Sequence, residues 1–275
     1  MEEASHAGLE IVVLVKHVPD AQFDRHIRGD DRTTDRNESI LSELDEYALE
    51  AALQLVESHG GEAAGHRITA VTMGPSAAVS AVKKALQIGA HAGVHLCDDA
   101  LAGSDAAGTS RALAAVVNHL GSVDLVITGM ASTDGETSLV PAQLAERLDL
   151  PQVTFASSLE LQPADGSWTL TARRDGDVYS ETVEATLPAL VSVTDQINEP
   201  RYPNFKGIMA AKKKPLSTLS LQDIGVDPAE VGFAGAWTSV QVADPRPPRG
   251  QGTIISDEGD AGIRLVDFLA AQKLL

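Results

Sequence analysis

Cysteine is nearly absent. Cys97 is the only one among 275 residues, so no disulfide can close within the chain and a thiolate-rich metal site is excluded. Aromatic residues are scarce at 4%, so a core has to be built from Val, Leu, Ile and Ala. Hydrophobic residues nevertheless reach 43%, enough for a sizeable interior at this length. That palette suits a parallel sheet covered by Ala-rich helices. Positive charge is under-represented: 21 Lys and Arg face 39 Asp and Glu, a formal net charge of -18. Such a surface repels phosphate backbones and anionic lipid, which argues against nucleic acid and membrane surfaces as partners. Long hydrophobic runs are missing too, the longest being strand-sized and far short of the ~20 residues a membrane helix needs. The opening MEEASHAGLE (1–10) is acidic and polar, unlike a secretory signal. A soluble, cytoplasmic protein without membrane insertion is expected.

The familiar motifs of catalysis are also lacking. The chain holds no GxxxxGK[ST] phosphate loop, no GxGxxG fingerprint, no GxSxG elbow and no HExxH pattern. His91 and His95 read as lying on one strand, four residues of ~3.3 Å rise apart, too far to share a metal. Cys97 follows that strand and reads as a strand-end residue. The pattern is that of a binder, with no catalytic residues and no metal site expected.

What is present is a regular alternation. IVVLVK (11–16) reads as a buried strand, and Leu44, Ala48, Ala51 and Leu55 recur at helical spacing until Gly60-Gly61. Between them, His17 to about Leu41 is polar and rich in Asp and Arg, longer than a usual strand–helix loop and therefore functional or mobile. Strands follow at 68–73, 91–96 and 124–128. Helices are predicted over 75–88, with Val79, Val82 and Leu86 inward, over 105–120 after a capping Ser104, and over 138–148. The alternation predicts an α/β fold, a doubly wound, mostly parallel sheet with helices on both faces. After Pro151, segments 158–162, 168–173 and 178–186 read as antiparallel strands with Asp165-Gly166 and Asp175-Gly176 turns, and 189–193 as another buried strand. The organisation predicted is a domain over 1–212, then an extended arm over 213–275 that ends in an amphipathic helix near Ala261–Lys273 and packs on a partner.

Three segments carry chemistry. Gly129-Met130-Ala131-Ser132-Thr133-Asp134-Gly135-Glu136-Thr137-Ser138 lies between the fourth strand and its helix. Ligands of open parallel sheets sit there, outside the strands' carboxyl ends. Its glycines, hydroxyls and following helix start suit a phosphate. The alternative is an ordinary turn with Thr137 or Ser138 as helix cap. Asp45 and Glu46 open the first long helix, where acids favour the dipole, although ligand contact is open as well. Finally, NEPRYP (198–203) is stiffened by two prolines, and Phe205, Ile208 and Met209 follow on a short helical stretch before three lysines. That stretch either docks a protein or packs on the chain's own core.

These segments, in this order, resemble the electron-transfer flavoprotein beta (small) subunit family over nearly the whole chain. The most specific match is LPALVSVTDQINEPRYPNFKGIMAAKKKP (187–215). It is supported by VVLVKHVPD, LDEYALEAAL (44–53), VTMGPSAA (71–78), KKALQIGAHAGVHL (83–96) and GMASTDGETS (129–138). The resemblance implies an adenine-nucleotide-hydrolase-like fold and a heterodimer with an alpha subunit that holds most of the FAD, while the beta subunit buries a structural AMP. It places the AMP contacts at Leu14, at Ser42, Leu44 and Asp45, at Met73, and at Asp134, Gly135, Glu136, Thr137, Ser138, Leu139, Val140 and Ala142. Phe205 matches the family's apolar anchor for client dehydrogenases, with Ile208 and Met209 in the same recognition loop (196–212). Asp175 matches an acid facing the mobile flavin domain. Ser42-Glu43 stand where relatives usually have Asn-Pro, and some electron-bifurcating relatives carry a second FAD in place of AMP. The implied role is a non-enzymatic carrier that takes electrons from dehydrogenases such as those of acyl-CoA in fatty acid oxidation. It delivers them to the respiratory chain through ETF-quinone oxidoreductase. Two rivals share the fold: a nucleotide-binding stress-type sensor and an ATP-dependent hydrolase-like enzyme.

Overall fold

The computed structural model describes residues 8–30, 32–164, 166–244, 247–248 and 250–275. It comprises two compact units, Met1–Gln241 and Val242–Leu275. Residues 1–7 of the acidic opening, and Asp165 of the expected Asp165-Gly166 turn, lie outside the described residues.

The first unit begins with β1 (Glu10–Leu14), β2 (His17–Pro19), β3 (Ile27–Arg28), β4 (Thr33–Thr34), β5 (Ser39–Leu41) and α1 (Glu43–Ser58). It continues through β6 (Arg67–Met73), α2 (Val79–Ile88), β7 (Ala92–Leu96), α3 (Ala106–Leu120), β8 (Leu125–Gly129) and α4 (Val140–Leu148). Then come β9 (Gln152–Ala164), β10 (Ser167–Asp175), β11 (Ser180–Thr186), β12 (Ala189–Val193), α5 (Phe205–Ala211), β13 (Leu216–Leu219) and α6 (Gly232–Gly235). Nine strands form one sheet in the order β11-β10-β9-β12-β8-β1-β6-β7-β13. The strands from β9 through β12 to β13 run parallel, and β10 and β11 are added antiparallel at one edge.

The central strands are continuous apolar runs because both faces of the sheet are covered. Ile11 and Val13 enter a core shared with α1 and α2, while Val12 and Leu14 enter a second core with α3 and α4. The doubly wound sheet predicted from the alternation is therefore the fold observed.

Several local expectations change. Asp105, not Ser104, caps α3: its Oδ1 accepts the Gly108 N–H at 3.0 Å, while Ser104 Oγ accepts the Gly232 N–H at 2.8 Å. The polar stretch after β1 folds back as two small ladders, β2 with β5 and β3 with β4. Residues 213–241 do not stand off as an arm in this chain. β13 pairs with β7 through Leu216–Leu219, and the first unit extends to Gln241. The second unit contains α7 (Ala261–Ala271), near its predicted place, with Ile263, Leu265 and Val266 each more than half exposed.

Candidate functional site

The chain leaves β1 toward β6 on one side and returns to β8 on the other, so the sheet changes winding direction between β1 and β8. A crevice at the carboxyl ends of such strands is where doubly wound sheets take their ligands. Leu14 ends β1, Met73 ends β6, and the loop from Met130 to Leu139 follows β8. Ser42, Leu44 and Asp45 join them from the start of α1, so the structure brings the expected nucleotide residues to one end of the sheet.

Two cations organise this end. Lys16 Nζ donates to Asp134 Oδ1 at 2.8 Å and to Ser132 Oγ at 3.2 Å. Arg36 donates from Nη2 to Asp134 Oδ2 at 2.6 Å and from Nη1 to the His17 carbonyl at 2.7 Å. The Asp134 side chain is only 3% exposed. Burial alone would raise its pKa, but the charges and hydrogen bonds of Lys16 and Arg36 together hold it far below the usual carboxylate range. Arg25 approaches Glu136 at 3.4 Å, an exposed contact of little energetic weight.

Asp45 behaves differently. It does not face solvent at the helix dipole but lies buried, with Oδ2 accepting the Lys16 backbone N–H at 2.7 Å. Desolvation dominates and pushes its pKa up to about 7, against the pull of Lys16 and the Gly129 N–H and with the push of Asp134. The packing depends on Gly129: a Cβ there would sit 2.7 Å from Asp45 Oδ1 and 2.8 Å from the Leu44 carbonyl. Only glycine lets β8 pass so close beneath the start of α1.

The loop itself turns through left-handed backbone at Glu136 (φ 50°) and Ser138 (φ 53°), which for non-glycine residues stores strain of roughly 1–3 kcal/mol each. Neither Thr137 nor Ser138 caps the next helix; Leu139 occupies the cap position, and among the described residues α4 has no side-chain cap. A nine-residue helix is thus left with an uncompensated positive end. Pro141 in its first turn sacrifices no hydrogen bond. Ser42, whose N–H donates to the Lys16 carbonyl at 2.9 Å, is fully buried, and its hydroxyl has no partner within the described residues. A buried, unpaired hydroxyl at a ligand-type crevice fits a polar guest better than an empty turn. Lys16, Arg36 and the uncapped helix start fit an anion. Lys16 and Arg36 escaped the sequence reading as individual residues, while Gly129 was read as a glycine for ligand approach and instead makes room for Asp45. Lys16 was signalled only by a cation closing an apolar strand, and Arg36 by nothing beyond a charge-rich stretch.

The other expected residues lie elsewhere. Asn204 caps α5 through the Gly207 N–H at 2.8 Å. The helix shows Phe205 at 80% exposure, with Ile208 and Met209 exposed beside it and Tyr202 nearby. Lys214 is not a solvated tail: its Nζ donates to the carbonyls of Leu86, Gly89 and Ala90 and so closes the end of α2. Asp175 ends β10 and accepts from Ser157 Oγ and Ser180 Oγ, each at 2.5 Å, and from Arg173 Nε at 2.9 Å. Those hydroxyls, foremost Ser157, hold its pKa below the usual range. Among the described residues no cluster of three or more His, Cys, Asp or Glu is placed to hold a metal. Nor, among those residues, is any helix long and apolar enough to cross a membrane.

Residues 33–224 match the electron transfer flavoprotein domain. The chain is 44% identical over 267 residues to the electron transfer flavoprotein subunit beta of Mycobacterium leprae, covering 96% of this chain and 99% of the relative. It is 36% identical to the protein of that name from Thermoanaerobacterium thermosaccharolyticum, over 84% of this chain and 86% of the relative. It is 32% identical to the caffeyl-CoA reductase-Etf complex subunit CarD of Acetobacterium woodii, over 90% and 92%. With its doubly wound sheet and near full-length similarity, the chain belongs to the electron transfer flavoprotein family, on the side of the beta subunits.

Proposed function

We propose that this chain is the beta half of a heterodimeric electron carrier, without catalytic side chains of its own, and that its carboxyl-end crevice holds AMP. The observation that carries the nucleotide reading is the Ser42 hydroxyl, buried and without a partner within the described residues, on the residue whose N–H donates to the Lys16 carbonyl. The backbone N–H groups near Thr137–Ala142, with Lys16 and Arg36, would hold the phosphate. Leu14, Ser42, Leu44 and Met73 would hold the nucleoside. The FAD, kept mostly by the alpha subunit, supplies the redox chemistry when bound. This chain's residues do other work: the crevice binds a nucleotide that ties β1, α1 and α4 together, and α5 presents Phe205, Ile208 and Met209 to a donor.

The donor class we favour is a dehydrogenase or reductase of CoA thioesters, such as an acyl-CoA dehydrogenase. The Acetobacterium relative is named for a CoA-thioester reductase complex, which supports that class. Onward delivery to a quinone oxidoreductase completes the proposed path. The second unit, with the exposed apolar face of α7, is proposed to pack on the alpha subunit, and Asp175 to face its flavin-bearing domain.

Co-expression with a cognate alpha subunit tests the assignment. A yellow one-to-one complex that accepts electrons from a substrate-reduced acyl-CoA dehydrogenase is the expected result. A colourless protein that self-associates supports the stress-type sensor, and ATP turnover by the lone chain supports the hydrolase-like enzyme. Either outcome overturns the proposal.

A further inference from the structure

The segment leading into α5 is fastened to α1 chiefly through one residue. Arg201 donates from Nε to Glu50 Oε2 at 2.7 Å and from Nη2 to Glu50 Oε1 at 2.9 Å. The same guanidinium reaches Glu57 Oε1 at 2.6 Å and Oε2 at 2.9 Å, and the Arg201 backbone N–H lies 3.3 Å from Glu50. Glu50 and Glu57 are two helical turns apart and therefore share a face of α1. Only a planar fork can grip two carboxylates this way; a lysine, as a point charge, serves one. Three residues earlier, Asn198 Nδ2 donates to the Tyr47 carbonyl at 3.0 Å, again on α1. On the far side, α5 lies so close to α2 that a Cβ on Gly207 would sit 2.6 Å from the Gln87 carbonyl. Phe205 points away from all of this, 80% exposed.

We infer that Arg201 is a positioning residue for partner docking: its double fork on Glu50 and Glu57 locks the 198–203 segment to α1, so that α5 offers Phe205, Ile208 and Met209 in one fixed pose. The inference rests on the reading of α5 as the donor-docking element. A loose apolar segment would have to be ordered during each encounter, whereas a fixed one has met that cost during folding. Releasing the fork therefore weakens docking and leaves the electron-transfer step of the docked complex alone.

The test uses the intact heterodimer as substrate for a reduced acyl-CoA dehydrogenase, reading the dehydrogenase's KM for the flavoprotein separately from kcat. Arg201→Gln is expected to raise KM about 5- to 10-fold with kcat within about twofold and flavin content unchanged. Arg201→Lys should fall between, and Glu57→Gln should stay within about twofold because the Glu50 fork survives. Phe205→Ala, which removes the anchor itself, should raise KM at least about tenfold. If Arg201→Gln lowers the melting temperature but leaves KM within twofold while Phe205→Ala raises it, the positioning role is overturned and the docking reading stands. If Phe205→Ala leaves KM unchanged as well, the docking reading falls and the inference with it. Should Arg201→Gln fail to assemble, Arg201→Lys decides: an unchanged KM there overturns the role.

Discussion

Two ionic clusters are tied to α1, and they are built with opposite surpluses. At its start, two cations, Lys16 and Arg36, clasp one ionised carboxylate, Asp134. Further along, two carboxylates, Glu50 and Glu57, clasp one cation, Arg201. The first cluster has positive charge to spare, adjoins an uncapped helix and a buried unpaired hydroxyl, and so can accept an anion. The second is saturated by four charge-assisted hydrogen bonds between its side chains and has nothing left to offer a ligand. The same chemistry thus makes a receptor in one place and a fastening in the other. The surplus decides which.

The contrast can be broken most forcefully through Asp45. Its folded pKa of about 7 stands above the ordinary 3.8, so the folded state holds a proton that the unfolded state releases. That stability is fully present below about pH 4 and is lost as pH rises through about 7. At roughly 1.4 kcal/mol per unit its upper bound is about 4 kcal/mol. Denaturation of the nucleotide-free chain between pH 4 and 8 should show wild-type stability falling relative to Asp45→Asn; parallel curves would mean that Asp45 is not held protonated. Asp134→Asn comes next. It leaves Lys16 and Arg36 without their counter-charge and should cost about 3 kcal/mol, since both retain some access to water. Urea unfolding without nucleotide measures this, and a loss under 1 kcal/mol would show that the clasp does not bear on folding.

Phe205→Ala sharpens the other side. An exposed anchor should cost about 2 kcal/mol in docking and under about 0.5 kcal/mol in stability, the reverse of the Asp134 result. Smallest is Ser42→Ala. Because the hydroxyl has no partner within the described residues, the nucleotide-free chain should lose no stability, whereas nucleotide affinity should fall by about 1 kcal/mol. Calorimetry with AMP separates the two, and unchanged affinity would remove Ser42 from the site.

Much of this architecture was readable in advance where residues act through periodicity. The Ile11–Val13 run, the Leu44–Leu55 spacing and the 189–193 strand each declare both type and burial. β13 did not, because four residues, Leu216–Leu219, between Pro215 and Ser220 are too few to show a period, and its strand identity comes from its parallel pairing with β7. The candidate site divides the same way. The 129–138 loop was legible because glycines and hydroxyls cluster locally. The cations were not, since Arg36 reaches Asp134 across 98 residues, and a charge-rich stretch looks the same whether solvated or folded over a pocket. Asp45 was seen as a helix-dipole acid because sequence spacing does not report that Gly129 lets a strand close beneath it.

The central claim is that this chain keeps a mononucleotide in its own crevice while the redox cofactor belongs to its partner. Denaturing the purified heterodimer and quantifying the released nucleotides by chromatography tests it directly. The account predicts one AMP and one FAD per complex. Two FAD per complex, or FAD with no adenine mononucleotide, would contradict it.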